Sequence, residues 1–253
     1  MGSSRLPGKV LKKIKNLSLL EILLKRLSKS KKIDKIIVAT SELKADSQIA
    51  DHVKSLGFDV FQGSENNVLQ RYKDAASNYK PIAVVRITGD CPLIDPKLVD
   101  SVIDLFLSKN VDYASNINPP SFPDGLDVEI FKYNSLLEAN INAETSAEKE
   151  HVTPYIRNND KFTKANFFND IDYSHLRWTV DDIDDFNVIK NIVEKFYPKI
   201  NFSWNEVIQL FIDNPKLFKD NVTTIRNSGE FMSNGQKLYS RAKKAIAGGN
   251  MLL

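Results

Sequence analysis

The segment 19–27 carries Leu19, Leu20, Leu23, Leu24 and Leu27 at the spacing of one helical face, with Glu21, Lys25 and Arg26 on the other. That pattern predicts an amphipathic helix whose charged side chains face water. The run Lys35-Ile-Ile-Val-Ala-Thr40 is short and apolar on both faces, as in strands buried within a parallel sheet, and Ser41 and Asp46 offer caps for the next helix. The alternation then recurs: a strand at 58–61 after Gly57, a helix over 68–79 and a buried strand over 82–87. Strands alternating with helices imply right-handed crossovers and an α/β fold in which helices cover a sheet.

The pattern loosens over 112–177, where Pro119-Pro120 and Pro123-Asp-Gly125 interrupt short aromatic segments. This stretch is expected to form an antiparallel excursion at the sheet edge. Helical spacing returns at 182–196 and 204–214, and the main domain is expected to span 1–218. Beyond it, Asn227-Ser-Gly229 and Ser233-Asn-Gly235 mark a linker over 219–235, and 236–253 reads as the start of an appended piece that opens on a basic amphipathic helix.

Composition narrows the class further. The 253 residues are 42% hydrophobic, enough for one good-sized α/β domain with a buried core. Charged residues make up 26% of the chain but the formal net charge is only +3, so no global field draws it to nucleic acid or to a membrane. The single cysteine, Cys91, excludes an internal disulfide framework and fits a reducing compartment. No apolar run approaches the roughly 20 residues that cross a bilayer, and no hydrophobic signal core opens the chain, so a cytoplasmic location is expected.

Three stretches carry candidate chemistry. The opening loop, Met1-Gly-Ser-Ser-Arg-Leu-Pro-Gly-Lys9, offers Ser3, Ser4 and Gly8 for close contact with phosphate oxygens and Arg5 and Lys9 as cations. Nucleotidyl transfer needs that combination, because negative oxygens shield the attacked phosphorus and charge builds on the leaving pyrophosphate. A disordered basic N-terminus has the same composition, and the loop alone leaves both readings open. A phosphate loop normally sits between a strand and a helix. Here it begins at residue one, so the expectation is a sheet lacking its first strand through N-terminal truncation.

The second stretch, Arg86-Ile-Thr-Gly-Asp-Cys-Pro-Leu-Ile-Asp95, sets Asp90 just past the carboxyl end of a buried strand, where open α/β sheets bind ligands. A lone carboxylate there suits magnesium, which takes one or two protein carboxylates plus substrate phosphates and water. Asp95 before Pro96 reads instead as a helix cap, and Cys91 as a small packed residue. The third stretch, Trp178-Thr-Val-Asp-Asp-Ile-Asp-Asp185, reads as another short strand ending in carboxylates. Asp181 is singled out as a partner for Asp90 in holding one cation; Asp182, Asp184 and Asp185 are assigned to the helix dipole.

An acidic sugar would need an arginine for its carboxylate and hydrogen-bonding side chains for its hydroxyls. Asp124, Asp127 and Glu129 in Pro123-Asp-Gly-Leu-Asp-Val-Glu129 are candidates, as are His151 and Arg157 in Glu150-His-Val-Thr-Pro-Tyr-Ile-Arg157, and Arg177. Asp124-Gly125 also fits a turn and His151 a cap or a core position, and both alternatives stay open. His52 and His175 have no such context.

Taken together, Met1-Gly-Ser-Ser-Arg-Leu-Pro-Gly-Lys9, Thr88-Gly-Asp-Cys-Pro-Leu-Ile-Asp95, Phe122-Pro-Asp-Gly-Leu-Asp-Val-Glu129, Glu150-His-Val-Thr-Pro154 and Leu176-Arg-Trp-Thr-Val-Asp181 resemble the SpsF-like cytidylyltransferases of the acylneuraminate and octulosonate superfamily, in their usual order. The resemblance covers residues 1–218. It implies a Rossmann-like, GT-A-like nucleotidyltransferase with a mixed sheet, a triphosphate held by the opening loop, and magnesium (Mg2+) on Asp90 and Asp181. It further implies CMP transfer from CTP to a nonulosonic or octulosonic sugar for surface polysaccharide, commonly in a homodimer. In that family a short apolar strand precedes the Met-Gly-Ser-Ser stretch, which sharpens the expectation of a missing first strand. The tail, Gly235-Gln-Lys-Leu-Tyr-Ser-Arg-Ala-Lys-Lys-Ala-Ile-Ala-Gly-Gly249, resembles the start of a glutamate-1-semialdehyde-type aminotransferase and implies a fusion to such a domain, cut short here.

Overall fold

A computed structural model describes residues 5–221. The tail that resembles an aminotransferase, and Ser3 and Ser4, lie outside the described residues. The chain opens with a 3-10 turn, Lys9–Leu11, and an antiparallel pair, β1 (Lys13–Ile14) and β2 (Leu17–Ser18). Then come α1 (Leu19–Leu27), β3 (Ile37–Ser41), α2 (Ser47–Ser55), β4 (Asp59–Gly63), α3 (Val68–Ser77) and β5 (Ala83–Arg86), close to where the apolar periods put them. The middle and end supply α4 (Pro96–Lys109), β6 (Tyr113–Ser115), β7 (Glu129–Lys132), α5 (Tyr133–Asn142), α6 (Ser146–His151), α7 (Pro154–Asn158) and β8 (Lys164–Asn166). Two helices, α8 (Ile183–Phe196) and α9 (Trp204–Asp213), and a 3-10 segment, Pro215–Asn221, complete the described fold.

The helix starts follow capping chemistry. Ser18 Oγ accepts from the Glu21 amide, and Asp182 accepts from the amides of Asp184 and Asp185. Asp95 uses both carboxylate oxygens: Oδ1 accepts from the Lys97 amide at 2.8 Å, and Oδ2 accepts from the Trp204 amide at 2.8 Å. One buried carboxylate therefore caps α4 and fixes where α9 begins.

The sheet is mixed, as expected, but it is built differently from the alternating pattern. β3 and β4 form a parallel pair. A second sheet runs β5-β7-β6-β8, antiparallel across its first two junctions and parallel at the last. The middle of the chain is thus no edge excursion: β7 is an interior strand that pairs with both β5 and β6. Among the described residues, β3 pairs only with β4, and β5 only with β7. Yet Val38, Val60, Ala83 and Val85 all pack on one core cluster with α1, α2 and α4. Val10 reaches the carboxyl ends of both halves, lining a cavity with Ala39 and Ser41 and standing 3.7 Å from where a Gly89 side chain would begin.

Two further expectations change. Arg26 is fully buried, donating to the carbonyls of Ile94 at 3.0 Å, Leu93 at 3.0 Å and Ile200 at 2.5 Å and lying 4.4 Å from the Phe202 ring. Its burial lowers its pKa to about 10. Asn221, inside the expected linker, is buried and donates to the Arg177 carbonyl and the Asp185 carboxylate, so packed structure runs past 218. No helix among the described residues is long and apolar enough to cross a membrane.

Candidate active site

Two carboxylates and a lysine meet where the second sheet faces the opening turn. Gly8 adopts φ 68°, a left-handed conformation that glycine enters without strain, and it delivers Lys9 into the 3-10 turn. Asp90 follows β5 in a turn closed by the Cys91 amide donating to the Thr88 carbonyl. The Asp90 carbonyl accepts from the Val180 amide at 2.9 Å and from Thr179 Oγ1 at 3.2 Å. That main-chain clamp brings Asp181 alongside Asp90 although they lie 91 positions apart. Residues 178–180 form no ladder; the expected strand is extended chain held by this clamp and by an isolated bridge between Asp124 and Arg177.

Lys9 Nζ donates to Asp90 Oδ2 and Asp181 Oδ1, each at 2.9 Å. Burial pulls the Lys9 pKa down, but Asp90 and Asp181 overcome it and raise the group above its ordinary value. Burial likewise favours the neutral form of Asp181, and Lys9 and Arg177 outweigh it to hold the carboxyl below the usual range. Arg5 adds an outer cation, with Nη2 3.2 Å from Asp181 Oδ2. The cations and carboxylates expected from the sequence are therefore brought together. Among the described residues no three potential ligands cluster for a metal. The donor set is one oxygen from each of two carboxylates, which fits magnesium, an ion that completes its shell with phosphate oxygens and water.

Behind Asp181 stands a second group of charges. Arg177 donates from Nε to Asp185 Oδ1 at 2.9 Å, from Nη1 to Asp124 Oδ2 at 2.7 Å and from Nη2 to Asp181 Oδ2 at 2.7 Å and Asp185 Oδ2 at 3.0 Å. The amide of Asp181 also donates to Asp185 Oδ2 at 2.9 Å. Burial alone would lower the Arg177 pKa; Asp185, Asp124 and Asp181 raise it. Gly125 makes this packing possible: at φ 100°, a Cβ there would fall 2.5 Å from the Thr179 nitrogen and the Trp178 carbonyl carbon.

These contacts correct three sugar-binding expectations. Arg177 and Asp124 satisfy each other inside the protein, and Arg177 is only 6% exposed, so neither faces an acceptor. Glu129 is 2% exposed and accepts from Arg86 Nη1 at 2.5 Å, Tyr113 Oη at 2.7 Å and Thr153 Oγ1 at 2.6 Å. All three residues form the frame of the site. Asp185, assigned above to the helix dipole, is fully buried and holds both Arg177 and Asp181. Asp127 is half-buried, with its charge felt at the buried Cys91 thiol, which desolvation pushes up. Arg157, half-buried on α7, makes its charge felt at the Tyr113 hydroxyl. His151 closes α6, and His52 meets Ser18 Oγ at 2.8 Å.

A cavity of about 270 Å³ lies beside Lys9, lined also by Gly8, Thr40, Ser41, Glu65 and Arg71. Arg71 donates from Nη1 to the Ser64 carbonyl at 2.8 Å while its buried Nε has no hydrogen-bond partner. Arg71 carries no local sign of a site in the sequence, where it is one polar position inside the helical period of α3.

A family model described as Cytidylyltransferase matches residues 1–201. An uncharacterized protein of Methanocaldococcus jannaschii is 40% identical over 219 residues, 85% of this chain and 88% of that protein. Spore coat polysaccharide biosynthesis protein SpsF of Bacillus subtilis is 34% identical over 223 residues, 85% of this chain and 92% of its own. A 3-deoxy-manno-octulosonate cytidylyltransferase of Chlamydia pneumoniae is 37% identical over a shorter stretch of 105 residues, 40% of each chain. Among solved structures, a cytidylyltransferase from Leptospira borgpetersenii superposes with a TM-score of 0.82 at 35% identity, covering 86% of this chain and 92% of its own.

Proposed function

We propose, on the premise that this chain belongs to the cytidylyltransferase family, that it transfers CMP from CTP to an acidic sugar, releasing pyrophosphate. The observation that carries the reading is that Asp90 Oδ2 and Asp181 Oδ1, 91 positions apart in sequence, are brought together on the Lys9 ammonium, with Arg5 beside Asp181. In this reading the anomeric hydroxyl oxygen bonds to the α-phosphorus of CTP, the bond to the pyrophosphate oxygen breaks with its electron pair going to pyrophosphate, and the hydroxyl proton passes to solvent water. Lys9 and Arg5 neutralise the triphosphate as charge moves onto the leaving group. Asp90 and Asp181 hold magnesium, which when bound supplies positive charge to the phosphate oxygens. The cavity beside Lys9, with Arg71 on its wall, takes the nucleoside.

The acidic acceptor is supported by the similarity to the octulosonate enzyme of Chlamydia pneumoniae. With Arg177 enclosed by carboxylates, Arg157 on α7 is the arginine we assign to the sugar carboxylate. The reading is tested by measuring pyrophosphate release from CTP. Release is expected only when Mg2+ and a nonulosonic or octulosonic acid are both present. Turnover with a hexose 1-phosphate and none with any sugar acid would overturn the acceptor.

A further inference from the structure

We infer that the Lys9 ammonium is an internal stand-in for the divalent ion, holding the two site carboxylates together until a triphosphate draws it away. This rests on the reading of Asp90 and Asp181 as metal ligands. The same carboxylates are at stake: Asp90, through Oδ2, and Asp181, through Oδ1, both accept from Lys9 Nζ at 2.9 Å. The second oxygen of Asp181 is engaged by two arginines, Arg177 Nη2 at 2.7 Å and Arg5 Nη2 at 3.2 Å, which leaves Oδ1 as the oxygen turned toward Asp90. A magnesium ion sits about 2.0–2.1 Å from its oxygens. It cannot share the point with an ammonium bonded to the same two atoms, and the positive charges repel at that separation.

The exchange keeps the site's charge in balance. When magnesium enters between the carboxylates, the ammonium is displaced toward the triphosphate that arrives with it. Lysine suits this task because its charge rides on a flexible stem, whereas an arginine fork is held by its geometry. Two properties follow. A divalent ion alone binds the nucleotide-free protein weakly, because it must first displace Lys9. Nucleotide and ion then bind cooperatively, each raising the affinity for the other by the same factor.

The test uses Mn2+ as the probe, with free ion counted by electron paramagnetic resonance. Nucleotide-free Lys9→Met should bind Mn2+ more tightly than wild type by about tenfold or more, and Lys9→Arg should bind it as weakly as wild type. Equal nucleotide-free affinities in wild type and Lys9→Met overturn the inference. Failure of the underlying reading looks different: tight Mn2+ binding by Lys9→Met that survives a second change, Asp90→Asn, would place the ion elsewhere. CTP-dependent binding that is lost in Asp90→Asn, found together with equal nucleotide-free affinities in wild type and Lys9→Met, would leave the metal site standing and sink only the stand-in. Should Lys9→Met not fold, wild type answers by its lysine ammonium nuclear magnetic resonance signals. One slowly exchanging signal should vanish at saturating Mg2+ without nucleotide, and its persistence overturns the inference.

Discussion

Asp185→Asn isolates the frame from the reacting groups. The substitution keeps shape and removes one charge from a fully buried position that accepts from Arg177 Nε and Nη2, the Asp181 amide and Asn221 Nδ2, all at 2.9–3.0 Å. Arg177 keeps Asp124 and Asp181 but loses the partner that takes two of its donors. Breaking a buried ion pair by removing one member costs about 3–5 kcal/mol. For a unit of this size each kcal/mol corresponds to roughly 2–4 °C of melting temperature, so a fall of about 6–20 °C is expected. Urea denaturation followed by circular dichroism measures the free energy, and the m-value checks that the transition is unchanged in kind. The same substitution in an Arg177→Met background should cost far less, because the arginine that needs the carboxylate is gone. A loss below about 1 kcal/mol in wild type, or an equal loss in both backgrounds, would refute the argument that Asp185 is a required buried partner of Arg177.

Two other outcomes are expected. Gly125→Ala should destabilise by about 3 kcal/mol, since a Cβ would collide with the backbone of Trp178 and Thr179 at a φ of 100° that alanine resists; a urea midpoint within error of wild type would remove that packing argument. Glu206, in the capping box of α9, has its pKa lowered from 4.5 to about 2 by Lys199 and by the Ser203 amide. A depressed acid contributes stability above its unfolded pKa and loses it as pH falls, so the advantage of wild type over Glu206→Gln should hold at pH 7 and shrink from about pH 4.5 toward pH 2. A difference that stays constant between pH 7 and pH 3 would contradict it.

The helices α1–α4, α8 and α9 and the strands β3, β4 and β5 were legible because their signals are local. The leucine period of α1, the Asp95-Pro96 start of α4 and the helical spacing of α9 each lie within a few turns. Sheet order was not legible, because a strand's partners are chosen by the whole chain. Nothing in Glu129-Ile-Phe-Lys132 says that it pairs with both Ala83–Arg86 and Tyr113–Ser115. Arg26 was misassigned for the same reason. It occupies the polar face of its helix by period, but three loop carbonyls from residues at least 67 positions away converge on its guanidinium. An arginine that finds such partners can be buried where one left alone could not.

At the site, position was legible and neutralisation was not. Asp90 and Asp181 were found because each follows an apolar run, where ligands gather in an α/β sheet. The sequence shows acids at 124, 127, 129, 181, 182, 184 and 185 without saying which of them a buried cation already satisfies. The structure sorts them by their partners. Arg177 is enclosed by Asp124, Asp181 and Asp185, and its planar fork uses three nitrogens at once, so it cannot leave without stranding buried carboxylates. Lys9 meets its two carboxylates with a single rotatable group at the end of a flexible stem, beside a glycine and a cavity. Side chains of the same charge therefore divide the work by geometry: the fork fixes Asp181, and the ammonium is the charge free to move when substrate brings its own.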